Sequence, residues 1–463
     1  MTKHDLVVLG SGPAGMAAAS TAAGYGIKPL VLDEQPSPGG QIYRAIESTP
    51  INNRGVLGPD YWAGEFLARD LRRPNIDYRP GTTVWQLTRQ REIGLLHQER
   101  ASMIKARRII LATGAMERPF PFPGWTLPGV MTAGSAQILL KTSGVVPDAP
   151  VVMAGSGPLL FLLAVQYLRA GVSIAAILDT TPSGRYRRAL RYLPAAMRNV
   201  QTLTKGLGLL RELHRAGVRH IKHVSALRAE GESRLQRVRW QTGGKEAWES
   251  LETPTLLLHQ GVVPNTQITR ALHCEHDWNE KQLAWQPQLD EWLTTDAEGI
   301  AVAGDGGGIV GAQAAVLQGQ LTGLGAAVAL GKVSVEDGRQ KAAKIRRNMA
   351  RETSIRPFLD IMYQPALQWR LPSDDTLVCR CEEVSAGDIR RIARMGCRGP
   401  NQTKSFSRCG MGPCQGRMCG LTVSELLADE NQQSVEETGY YRLRPPFKPI
   451  SLGHLAKAAE ETQ

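Results

Sequence analysis

The sequence predicts an α/β protein made of two strand–turn–helix units of the dinucleotide-binding kind, followed by a small helical module rich in cysteine. Three observations carry this. The glycine turn Gly10-Ser-Gly12-Pro-Ala-Gly15 follows an apolar run of strand length, and Gly155-Ser-Gly157 repeats that context. Six of the seven cysteines crowd into Cys379–Cys419, and none precedes Cys274. At 463 residues the chain can hold two or three buried cores, and its 48 glycines are the one clear compositional excess.

Taken in order, Leu6–Leu9 is the first strand, and Met16–Ala23 is a small-residue helix closed by Gly24. Pro29–Leu32 is a second strand ending in Asp33-Glu34, and Arg108–Ala112 a third leading into Thr113-Gly114. The pattern restarts with the strand Val151–Ala154, the helix Pro158–Ala170 and the strand Ser173–Leu178, which ends at Asp179. A glycine cluster at Gly304-Asp305-Gly-Gly-Gly308 leads into a helix from Val310. A polar helix (337–352) and a proline-containing segment (357–372) precede the cysteine module, and 431–463 reads as a proline-spotted arm.

The formal net charge of +12 is spread along the chain, with no recognition-helix or aromatic-platform pattern, so a nucleic-acid partner is not expected. No signal peptide precedes the first strand. The apolar stretches 151–178 and 301–332 each contain a glycine turn plus Arg169 or Asp305, so they read as strand–turn–helix units rather than membrane spans. A cytoplasmic protein is expected, with peripheral attachment at the inner face of a bacterial membrane left open.

In the first glycine turn, Gly10 permits the tight turn, Gly12 lets the backbone approach a pyrophosphate, and Gly15 allows close helix–strand packing. Pro13 and Ala14 open a helix whose N-terminus is positive. An acid about 20 residues on should receive the adenosine ribose; Glu34 fits, with Asp33 the alternate. The order Glu34, Gly39-Gly40-Gln41, Ala112-Thr113-Gly114, Gly261–Thr266 and Gly304-Asp305 resembles the two-dinucleotide-binding-domain flavoproteins of the thioredoxin reductase type. That resemblance implies bound FAD and three-layer Rossmann-like domains, with Asp305 at the ribitol and pyrophosphate. Alone, Asp305 could be a helix cap and Thr113-Gly114 an ordinary turn.

The second turn places Leu160 where Gly or Ala is usual. This argues against nicotinamide at Gly155 and Gly157, and leaves the unit as a scaffold or the holder of a different second nucleotide. No cysteine pair accompanies the flavin motifs, so disulfide reduction is not expected. Cys274, between His273 and His276, reads as part of a surface loop rather than a metal site.

Cys379-Arg-Cys381, a 32-residue gap, then Cys414-Gln-Gly-Arg-Met-Cys419 offers four thiolates in two close pairs. Such a set suits an iron–sulfur cluster, and also tetrahedral zinc, for which the C-x-C spacing is less usual. The spacing resembles bacterioferritin-associated-ferredoxin-like domains, which implies a 2Fe–2S cluster on Cys379, Cys381, Cys414 and Cys419, with Cys409 a neighbour. Two helices, Ser385–Met395 and about Gln402–Phe406, would fold the pairs together, with Gly410, Gly412, Gly416 and Gly420 leaving amides for the sulfurs. Cys397 reads as a small buried residue.

With Gly-Met-Gly-Pro-Cys-Gln-Gly-Arg-Met-Cys and the tail from Tyr441, the whole chain resembles the FAD-containing large subunit of bacterial heteromeric opine and amino-acid dehydrogenases. These include octopine and nopaline oxidase, D-hydroxyproline and proline dehydrogenase, and hydrogen cyanide synthase. The resemblance implies an electron-transfer subunit. A partner FAD subunit oxidises the C–N bond of an opine or amino or imino acid, a small ferredoxin-like subunit can join, and electrons pass to a respiratory acceptor. It implies FAD-binding halves at 1–125 and 261–335 around a nucleotide-binding-like insert at 126–260. A helical linker (336–372), a cluster domain (373–430) and an arm (431–463) follow. The alternatives are a stand-alone NAD(P)H-dependent flavin and iron–sulfur reductase, and a scaffold without working cofactor sites.

Overall fold

The structure, a computed structural model, describes residues 1–243 and 246–460. Its first unit is built on β1 (Thr2–Leu9), α1 (Pro13–Gly24) and β2 (Leu30–Leu32). β3 (Asp77–Arg79), β4 (Thr82–Leu87), β5 (Glu92–His97) and β6 (Arg100–Leu111) complete it. The strands lie in the order β3-β2-β1-β6-β5-β4, and the strand Ile300–Val302, returning from far along the chain, also pairs with β6. β1 runs parallel to both β2 and β6, with Val7 opposite Leu30 and Ile109. Leu6, Val7 and Val8 are fully buried, as expected for a central parallel strand covered on both faces.

α1 is nearly all Ala and Gly, which lets the helix Ala312–Ala329 approach it closely. A Cβ on Gly319 would lie 2.1 Å from the Ala14 carbonyl. The second unit is a five-stranded sheet in which His220–Ile221, Ile174–Asp179, Val151–Ser156, Thr255–Gln260 and Val130–Thr132 follow one another, all parallel. The two chain crossings between units, Ala115–Glu117 and Val262–Pro264, pair antiparallel. The apolar stretch after Val151 is thus a strand plus the helix Pro158–Arg169, and no described helix is long and apolar enough to cross a membrane.

The cysteine module is small and helical. Ala386–Arg394 starts on a capping box of Ser385 and Asp388, whose side chains and backbone amides satisfy one another. Its Ile389 and Ala393 pack on Val423, Leu426 and Leu427 of the helix Gly420–Glu430. The module is tied to the first unit by the arm: the Phe447 amide donates to the Trp85 carbonyl on β4 at 2.7 Å, and Lys448 pairs with Glu34 at 2.9 Å.

Candidate functional site

A cavity of about 870 Å³ opens at the carboxyl ends of β1, β2 and β6. Gly10, Gly12, Pro13, Ala14, Asp33, Glu34, Gly40, Gln41, Thr113, Gly114, Gly304 and Asp305 all line it. Gly15, the remaining expected contact, is not on the wall. A Cβ there would come 1.8 Å from the Gly10 carbonyl oxygen, so its place is the seam between helix and turn. α1 has Gly12 as N-cap and no side-chain cap, which leaves its first-turn amides for an anion.

The two acids divide. Asp33 Oδ2 accepts from the Ser11 amide at 2.5 Å and the Ser11 hydroxyl at 2.6 Å, and its Oδ1 accepts from the Gln35 amide at 2.8 Å. It braces the turn. Glu34 is exposed at the cavity wall, where a ribose could reach it. Asp305 Oδ1 accepts from the amides of Val310 and Gly311 at 2.8 and 3.1 Å, so it shapes the loop into the next helix while also lining the cavity.

The sequence pattern gives no sign of Lys141, a residue of the helix Ala133–Ser143 that is 2% exposed. Its Nζ donates to the carbonyls of Gln41 and Ile42 at 3.1 and 2.9 Å and to Gln137 Oε1 at 2.9 Å, clamping the loop after Gly40 against the cavity. Burial, with the Arg44 charge nearby, lowers its pKa from 10.5 to about 7. Between those values the unfolded lysine keeps a proton that the folded one sheds. Stability therefore rises with pH through that window, by an amount on the order of a few kcal/mol. Lys141→Met should flatten this rise, and thermal unfolding of both proteins at pH 7 and pH 9 checks it. An identical pH dependence in the two would refute it.

Cys379, Cys409 and Cys419 are buried, with their sulfurs within 4.8 Å of one another. Cys381, exposed, and Cys414, half-buried, meet beside them. Of the four expected ligands, Cys379 and Cys419 share the compact buried group with Cys409, whereas Cys381 and Cys414 form a second pair outside it. The Cys379 thiolate is held down to about 2 by the thiols of Cys409 and Cys419, with the amides of Gly410 and Glu382 adding to it. Cys419 is N-cap of the helix Gly420–Glu430, but its hydrogen bonds with Cys379 and Cys409, together with burial, push its thiol well above the usual range. Three gathered thiols with amide donors and a second thiol pair beside them suit a soft metal centre, and four thiolates suffice for a 2Fe–2S cluster. Of the glycine amides expected at the sulfurs, that of Gly410 reaches Cys379, while that of Gly420 needs correction. The Gly420 amide donates to the Gly416 carbonyl, and both glycines make room for tyrosine rings, Tyr441 over Gly416 and Tyr440 over Gly420.

The cavity wall continues from the flavin motifs to Arg380, between Cys379 and Cys381, and to Met418, beside Cys419. Trp125 helps join the two parts: its Nε1 donates to the Leu377 carbonyl at 2.7 Å, and the Arg380 guanidinium lies 5.4 Å from its ring.

The second glycine turn is closed. Gly155, Ser156 and Gly157 are buried, and a Cβ on Gly157 would meet the His259 ring at 3.4 Å. Ser156 Oγ donates to the Tyr363 carbonyl of the linker at 3.4 Å, while Asp179 is occupied by the Thr181 amide and His220. Leu160 is fully buried and fills the helix–strand seam. Cys274 is another correction: it is 7% exposed and packs in the core of the first sheet, because the loop folds under Asp296 rather than outward. No cysteine lines the flavin cavity among the described residues.

Residues 4–319 match the pyridine nucleotide-disulphide oxidoreductase family, and 373–459 match the sarcosine oxidase A3 domain. The A subunit of the opine oxidase of Rhizobium meliloti is 44% identical over 98% of this chain and 87% of its own length. The hydrogen cyanide synthase subunit HcnB of Pseudomonas protegens is 31% identical over 98% of each chain. Among solved structures, the L-proline dehydrogenase from P. horikoshii superposes with a TM-score of 0.70 at 20% identity, over 98% of this chain and 79% of that one. At that identity the likeness speaks for the fold.

Proposed function

The chain belongs to the pyridine nucleotide-disulphide oxidoreductase family, in the group of the opine oxidase A subunits, and from that premise we propose that it relays electrons within a heteromeric opine or amino-acid dehydrogenase. It is a flavin-dependent oxidoreductase subunit for CH–NH donors, with FAD as its cofactor. The finer reading adds a 2Fe–2S cluster on Cys379, Cys381, Cys414 and Cys419, a partner FAD subunit that oxidises the C–N bond, and a respiratory acceptor. FAD takes up an electron pair and releases electrons singly, and a 2Fe–2S cluster carries one at a time.

The observation that carries this is the shared cavity wall. Arg380 and Met418, chain neighbours of Cys379, Cys381 and Cys419, line the same space as Gly10, Gly12 and Asp305. In this reading the turn at Gly10–Gly15 holds the pyrophosphate, Glu34 the ribose, and Lys141 the loop over the cavity. Electron transfer between flavin and cluster would then run past Arg380 and Met418, without dithiol chemistry. The stand-alone NAD(P)H reductase needs an open second nucleotide turn, and His259 and Tyr363 cover it.

Reconstitution tests the assignment. The purified chain should show flavin and iron–sulfur absorption, yet oxidise no opine or imino acid with a dye until its co-expressed partner is added. NADH and NADPH should leave its flavin oxidised. Substrate oxidation by this chain alone, or rapid bleaching by either nucleotide, would overturn the relay.

A further inference from the structure

Tyr441 comes from the arm, is 3% exposed, and lies across the thiol nest. A Cβ on Gly410 or Gly416 would come within 2.4 or 2.5 Å of its ring, so those two glycines open the slot that the ring fills. Its hydroxyl is buried with no hydrogen-bond partner among the described residues, and it lies beside Gly410 in the same buried cluster as Cys409 and Cys419. A buried phenol left without an acceptor is costly, whereas anionic sulfur is an acceptor that would satisfy it. The adjacent Tyr440 differs: its hydroxyl donates to the Gly416 carbonyl at 3.3 Å, and the Arg270 guanidinium stacks 4.5 Å from its ring. Lys404 Nζ lies 5.7 Å from the Tyr441 ring centroid, and a cation over the ring makes the phenol a stronger donor.

We propose that the Tyr441 hydroxyl donates a hydrogen bond to the Cys419 sulfur of the cluster and thereby raises the cluster's reduction potential. This rests on the cluster reading above. The physical basis is charge: reduction adds one electron to an already anionic centre, so a donor to sulfur stabilises the reduced form more than the oxidised one. Cys409, outside the ligand set, is the competing acceptor.

The test uses the full chain loaded with FAD and cluster, comparing wild type with Tyr441→Phe, alone and combined with Cys409→Ala. Iron, sulfide and FAD contents should be unchanged in Y441F. An EPR-monitored redox titration should show the cluster harder to reduce. The expected change is about tenfold in the reduced-to-oxidised ratio at fixed poise, equivalent to about 59 mV for one electron. The shift should persist in the C409A background. An unchanged midpoint, a shift that vanishes with C409A, or loss of iron in Y441F would each overturn the proposal, the last by making Tyr441 a packing residue. Wild-type protein purified without iron would instead overturn the cluster reading itself.

Discussion

Cys379→Ala is expected to strip iron and sulfide from the protein while leaving FAD in place, and to cut substrate-to-acceptor turnover of the assembled complex by more than roughly 100-fold. That floor follows from the cost of lesser changes, since even outer-shell substitutions cost metal sites roughly 10–100-fold. Cys379 is 1% exposed and is the sulfur toward which the others are organised, receiving the thiols of Cys409 and Cys419 and the amides of Gly410 and Glu382. Its removal leaves those donors without their acceptor. The flavin cavity lies on other elements and should keep its visible spectrum. Iron analysis and dye-coupled against acceptor-coupled assays of the same preparation separate the two effects. Cys409→Ala is the matched control and should retain iron, since Cys381 and Cys414 complete a four-thiolate set without it. Retained iron in C379A, or lost iron in C409A, would redraw the ligand set.

Gly12→Ala and Gly15→Ala should fail in different ways. Gly12 has φ −71°, which any residue adopts, and a Cβ there would meet only the Gly40 Cα at 3.6 Å, an ordinary contact. The fold should therefore survive, while the methyl group stands where a pyrophosphate must approach. FAD affinity should fall roughly 10–100-fold, taking about 1–3 kcal/mol as the cost of overpacking. A Cβ at position 15 meets backbone, 1.8 Å from the Gly10 oxygen, and backbone cannot step aside without moving α1 off the sheet. G15A should lose both FAD and stability. Flavin content and thermal unfolding of the two proteins distinguish the cases, and equal stability would refute the assignment of Gly15 to the seam.

Much of the flavin half was legible because its requirements are local. A phosphate turn needs glycine at set offsets, a strand before it and a helix after, and all three lie within Leu6–Ala23. The distal elements were legible only as a set, because Thr113-Gly114 and Gly304-Asp305 are unremarkable apart and meet only when β6 and Ile300–Val302 pair. Lys141 escaped notice since a lysine in a helix is ordinarily solvated; only the fold buries it against the carbonyls of Gln41 and Ile42. Cys274 was misplaced for the opposite reason, as its polar neighbours suggested a surface while Thr295 and Asp296, about twenty residues on, cover it.

The sequence by itself determined the α/β class, the glycine turn with its acid, and a cysteine-dense module in a chain whose flavin motifs carry no cysteine, because each is a pattern of residues close in the chain. Only the tertiary structure decided that Asp33 braces the turn while Glu34 stays exposed beside Lys448, that His259 and Tyr363 close the second nucleotide turn, that Cys409 enters the thiol nest, and that Tyr441 lies across it. Those outcomes depend on which side chains compete for one volume or one hydrogen bond. The competitors lie tens to hundreds of residues apart, so no local pattern could reveal them.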